Sequence, residues 1–100
     1  MAQVIVTEEA AECLREIHAY IAQDNADAAD RVFDGILERI EQLREYPQIG
    51  YRYERAGSRH IRILIYGRYL IAYLIKPDDN IDVIGVYHGA RQIEQFLSDP

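Results

Sequence analysis

The chain has 100 residues, of which 49% are hydrophobic and 28% charged, and a formal net charge of −6. That length suits one domain, burying roughly two-thirds of the surface its unfolded chain exposes, so a core needs no covalent or metal staple. Its lone cysteine, Cys13, excludes an intrachain disulfide, no Cys/His cluster has zinc spacing, and no apolar run approaches the ~18 residues of a membrane span. The start, Met1 to Val4, lacks a basic stretch followed by an apolar one, so a cytoplasmic location without membrane contact is expected.

Gln3 to Val6 can form a short strand. Thr7 followed by Glu8 and Glu9 reads as an N-cap with acids in the first turn, where they complement the helix dipole. Ala10, Leu14, Ile17 and Ile21 then recur at helical spacing and predict a helix over about 8–22. Asp24 or Asn25 can cap a second helix, over about 26–45, with Ala29, Val32, Phe33, Ile36, Ile40 and Leu43 as its apolar face and Pro47 as its stop. The short link between the two predicts an antiparallel helical hairpin.

After Pro47 the hydrophobic period changes from 3.6 to 2. Ile61, Ile63 and Ile65 alternate with His60, Arg62, Leu64 and Tyr66, predicting a strand over 59–66. Gly67-Arg68 makes a tight turn into a strand over 69–76, and Pro77 to Asn80 make another into a strand over 81–87. Consecutive strands joined by tight turns pair antiparallel. One sheet face must meet the hairpin, leaving the other, with Arg62, His60 or the tyrosines, open. In the last strand Ile84, Val86 and His88 are expected on the core side. Ala90, Ile93, Phe96 and Leu97 suggest a closing helix. The reading is α+β, a two-layer β-α-α-β-β-β-α domain spanning 1–100.

Charge is unevenly placed. Residues 1–47 carry a balance of −7, residues 48–91 a balance of +3, and ten of the eleven basic residues are arginine. Arg59, His60, Arg62, Arg68, His88 and Arg91 all lie in the sheet half, interleaved with Tyr66, Tyr69, Tyr73 and Tyr87. Such a mixture can hold single-stranded RNA, with arginine on phosphate and tyrosine under bases; it is equally ordinary on a half-exposed strand face. His88 could serve as a general acid or base, or merely hydrogen-bond a loop carbonyl. Gly89 lets the chain turn there, and a helix start behind it would favour an anion or carboxylate. No phosphate-cradling glycine loop, His-Glu-x-x-His or Gly-x-Ser-x-Gly occurs. Cys13, beside Leu14, reads as a packed or partly exposed thiol and Glu54 as an exposed loop acid.

Three clusters stand in order: Pro47, Ile49 and Gly50; then Arg62, Gly67, Arg68, Tyr69 and Tyr73; then Val86, His88, Gly89, Ala90 and Arg91. In this order and spacing they resemble the ParE branch of the RelE/ParE toxins, over nearly the whole chain. The resemblance implies a helical hairpin packed on a small, mainly antiparallel sheet. It implies a toxin of a type II toxin-antitoxin system that inhibits DNA gyrase and is neutralised by direct binding of its cognate antitoxin, within a higher-order hetero-oligomer. It implies no cofactor and no metal. Candidate target- or antitoxin-binding residues are Arg59, Arg62, Arg68, Tyr69, Tyr73, His88 and Arg91, with an antitoxin segment reaching these arginines through carboxylates and filling an apolar helix–sheet groove. Many members carry arginine where this chain has Gly85 and aspartate where it has Gln92; the loss of that arginine, together with the acidic helical half, favours the gyrase reading. The alternatives are a metal-independent, ribosome-dependent mRNA endoribonuclease and an inactive relative that only binds antitoxin.

Overall fold

The computed structural model describes residues 2–54, 60–89 and 92–93. Strand β1 (Val4–Val6) leads through Thr7 into helix α1 (Glu8–Ala22). Thr7 is a double stitch. Its hydroxyl accepts from the Ala10 amide at 3.3 Å, capping α1, and donates to the Val83 carbonyl at 2.8 Å, while its own amide donates to that carbonyl at 3.1 Å. Helix α2 (Ala26–Glu41) is capped by Asn25, whose side chain accepts from the Ala28 amide at 3.0 Å. Instead of running to 45 as one helix, α2 tightens into a 3₁₀ turn over Gln42–Arg44 before Pro47.

The sheet has five strands in the order β1-β5-β4-β3-β2, with β2 (Tyr51–Arg52), β3 (Ile61–Tyr66), β4 (Tyr69–Ile75) and β5 (Ile81–His88). Only β1 pairs in parallel, on β5; every other pair is antiparallel. Two details depart from the sequence expectation. The two-residue β2 has too little alternation to announce itself, yet it forms the edge beside β3. Strand β3 begins at Ile61 because His60 adopts a positive φ of 57°, outside the extended region. Arg59, and the expected closing helix apart from Gln92 and Ile93, lie outside the described residues.

The main core lies between the hairpin and one sheet face. Leu14, Ile36, Ile40 and Leu43 pack there against Leu64, Ile71, Tyr73, Ile81, Val83 and Val86. Each such aliphatic side chain contributes roughly 1.5–3 kcal/mol on burial. The opposite face is not the open polar surface expected. Ile61, Ile63, Ala72 and Tyr87 form a second apolar cluster there, closed by Ile93. The faces are set by a bulge in β5. Val83 pairs with Tyr73 and Gly85 with Ala72, so Ile84 is the extra residue. Ile84 therefore packs with the second cluster, while Val86 belongs to the main core, in contrast to the strict alternation that put them together.

Because Thr7 holds both the helix start and the central strand, Thr7→Ala should lower unfolding free energy by about 1–2 kcal/mol in urea denaturation. Thr7→Ser, which keeps both side-chain bonds, should recover most of that loss.

Candidate partner-binding groove

Strand β1 ends at Val6, where the chain turns into α1, so among the described residues no strand pairs with β5 on that side beyond Val83. The edge left open carries hydrogen-bonding groups. Tyr66 and Tyr69 flank the two-residue turn at Gly67 and Arg68, where Gly67 supplies a φ of 57°, and they bond to each other across it. Tyr69 thus directs its backbone towards β3, and His88 opposite it directs its backbone outward. The Gln92 side-chain carbonyl accepts from the His88 amide at 2.6 Å, in the place of a missing neighbour strand. By the same alternation Val86 presents its amide and carbonyl along this edge.

Alongside lies a groove of about 1140 Å³. Cys13, Ile17, Ile84 and Val86 contribute apolar lining, and Arg68, Tyr69 and His88 stand together at one end. The Tyr69 and His88 rings are 5.3 Å apart and tilted by 48°. The flank belongs to α1: Glu8, Glu12 and Glu16 recur every fourth residue on one helix side, with Glu9 beside them. Arg15 bonds Glu12 at 2.6 Å and Glu8 at 2.8 Å, and these bonds, the Glu12 one first, raise the affinity of the guanidinium for its proton. Glu9 and Glu16 enter no ion pair among the described residues. The sequence reading found the acidic balance of residues 1–47 and took the first glutamates as dipole partners, but not this row on one helix side; the four-residue recurrence was the available signal.

The other nominated residues are elsewhere. Tyr73 is fully buried, so it is a core residue and not a contact surface. Its hydroxyl donates to the Pro47 carbonyl at 2.8 Å and accepts from the Gly50 amide at 2.9 Å. Arg62 shares that sheet face and donates to the carbonyls of Gly50 at 2.7 Å and Gln48 at 3.4 Å. Together they pin the 47–50 loop, beside which Tyr46, Ile49, Tyr51 and Ile65 are exposed. Arg62 and Tyr73 therefore do not join Arg68, Tyr69 and His88 in one surface. Arg91, like Arg59, lies outside the described residues. Gly89 has the expected positive φ of 88°.

A helical hairpin on a mixed sheet, with the β5 edge open beyond Val83 among the described residues, defines a small α+β protein. A solved structure described as the chromosomal ParDE toxin-antitoxin system from P. aeruginosa has the same fold, with a TM-score of 0.74 at 18% identity over 90% of this chain and 98% of that one. A Sinorhizobium fredii protein named "Putative toxin Y4kP" is 38% identical over 84 residues, 84% of each chain. The family model for the ParE toxin of the type II toxin-antitoxin system parDE matches residues 4–93. The chain belongs to this ParE toxin family.

The loop clasp generates two expectations. Tyr73→Phe should cost about 1–3 kcal/mol by orphaning the Pro47 carbonyl and Gly50 amide, and Gly50→Ala a similar amount, since its Cβ would stand 2.7 Å from the Ile63 carbonyl oxygen. Burial also pushes the Tyr73 phenol above its ordinary range, against smaller downward pulls from the Gly50 bond and from Arg62 and Arg39. The fold therefore favours the neutral phenol, a contribution present below pH ~10 and lost as pH rises through the folded-state value. The stability gap between wild type and Tyr73→Phe should narrow above that pH in denaturant titrations.

Proposed function

We propose that this ParE-family toxin acts by inhibiting DNA gyrase in the cytoplasm, and that its cognate antitoxin silences it by direct binding along the α1–β5 groove. The groove carries the antitoxin half of the reading. It joins apolar lining, a strand edge with outward-directed backbone groups and an end bearing Arg68 and His88, features that suit strand addition or an inserted helix. A higher-order toxin-antitoxin assembly is consistent with docking at an edge that leaves the β2 side free.

The gyrase half rests on how the sheet cations are used. Cleaving a phosphodiester calls for a base and for charge stabilisation, and losing either typically costs at least ~10² in rate. The Arg62 guanidinium is already engaged by the Gly50 and Gln48 carbonyls. At Gly85, where many relatives are expected to carry arginine, a Cβ would stand 2.1 Å from the Tyr87 hydroxyl, so a larger residue there requires Tyr87 to move. Both observations weigh against ribonuclease chemistry on this sheet.

With purified chain alone, gyrase supercoiling should fail and cleaved DNA accumulate, while a coupled translation reaction keeps its mRNA intact. Addition of the product of the neighbouring reading frame should restore supercoiling. Cut mRNA with normal supercoiling would overturn the gyrase reading in favour of the ribonuclease. Separately, Arg68→Glu should weaken antitoxin binding by about tenfold in a titration while leaving the fold's melting unchanged, as expected for an exposed cation at an interface edge.

A further inference from the structure

We propose that the segment seated in the α1–β5 groove is an extended strand that alternates apolar and basic residues, with the basic ones facing α1. The inference rests on the antitoxin reading and assigns the chemistry of the bound segment, which the candidate arginines had implied would carry carboxylates. Shape comes first. The line of β1 is vacated at Thr7, and β5 continues beyond Val83 with its backbone directed into the vacated lane. A strand laid there would add amide–carbonyl bonds to Val86 and displace the Gln92 side chain from the His88 amide, exchanging one bond for an equivalent one.

Side-chain chemistry follows from the two sides of that lane. Strand residues point alternately to opposite faces. One set would lie beside Ile84, on the side of the second apolar cluster. The other would pass the row of Glu8, Glu9, Glu12 and Glu16, of which Arg15 compensates only part. Acidic residues in the bound segment would be repelled along this whole flank and find a cation only at the Arg68 end. Lysine or arginine at alternate positions would instead meet Glu9 and Glu16, neither of which has another ionic partner among the described residues. Complementary charge of this kind sets register and selects the partner more than it adds affinity.

Two fluorescent probes test the inference on the intact chain: a short peptide alternating valine with lysine, and the same peptide with glutamate for lysine. The lysine peptide should bind at least about tenfold more tightly at low salt, with the preference shrinking as salt rises. The exposed double variant Glu9→Lys/Glu16→Lys, with its fold checked by circular dichroism, should abolish or invert that preference. A lysine peptide N-methylated on alternate amides should lose binding, because it cannot pair with the β5 edge. Equal binding of the two peptides, a preference unchanged in the double variant, or undiminished binding of the N-methylated peptide overturns the proposal. The neighbouring gene product separates this from the parent reading. If it binds wild type and double variant equally, the basic-strand assignment falls and the antitoxin reading stands. If it binds neither while the lysine peptide keeps its preference, the antitoxin reading falls and the groove chemistry stands.

Discussion

A single additional residue in β5, Ile84, decides which side chains face the helices. Ahead of the bulge Ile81 and Val83 point into the main core; after it Val86 does, with the exposed His88 on the same side. Without that shift, Tyr87 would be driven into the helical layer and Val86 out of it, and the groove would lose part of its floor. The bulge also falls just past Val83, the last residue that β1 pairs and the one to which Thr7 is bonded twice. Among the described residues, a strand that is central over its first half thereby becomes an edge over its second. Bulges bend and twist a strand where a ladder ends, and this one separates the structural from the exposed portion of β5.

Much of this was legible in the residues. The 3.6-residue recurrence in α1 and α2, the caps at Thr7 and at Asp24 or Asn25, and the Gly67-Arg68 turn each carry a local mechanism; both helices and the turn start where it placed them, while α2 gives way to a 3₁₀ turn after Glu41. What could not be read was set by distant neighbours. Nothing in Tyr51-Arg52 distinguishes an edge strand from a loop; only the presence of β3 makes it one. The bulge at Ile84 is likewise invisible in an apolar run whose every residue suits a strand, and the assignment of faces failed with it. His60 illustrates a third case, since a positive φ at a non-glycine residue is imposed by context.

The candidate site divided along similar lines. Arg68, Tyr69 and His88 converge because a hairpin and a strand end are adjacent in the sheet, which strand order alone implied. Tyr73 and Arg62, by contrast, were nominated because their types suit recognition, yet the Tyr73 hydroxyl and Arg62 Nη1 bond the backbone of the 47–50 loop. Their family-like spacing with Pro47 and Gly50 coincides with this set of bonds to the 47–50 loop. Residue type separates such roles poorly; burial and hydrogen-bond partners separate them well.

Cys13 gives the groove a built-in reporter. It is the chain's one cysteine, it is partly exposed, it lines the groove, and it touches both apolar clusters at the point where α1 passes the β5 edge. A thiol in that position reacts with an alkylating reagent only as fast as the reagent can reach the groove lining. Whatever fills the groove, whether partner strand, peptide or small molecule, slows that reaction in proportion to its occupancy. The native sequence thus permits footprinting of this surface by mass spectrometry, with no engineered label and no second thiol to confuse the count.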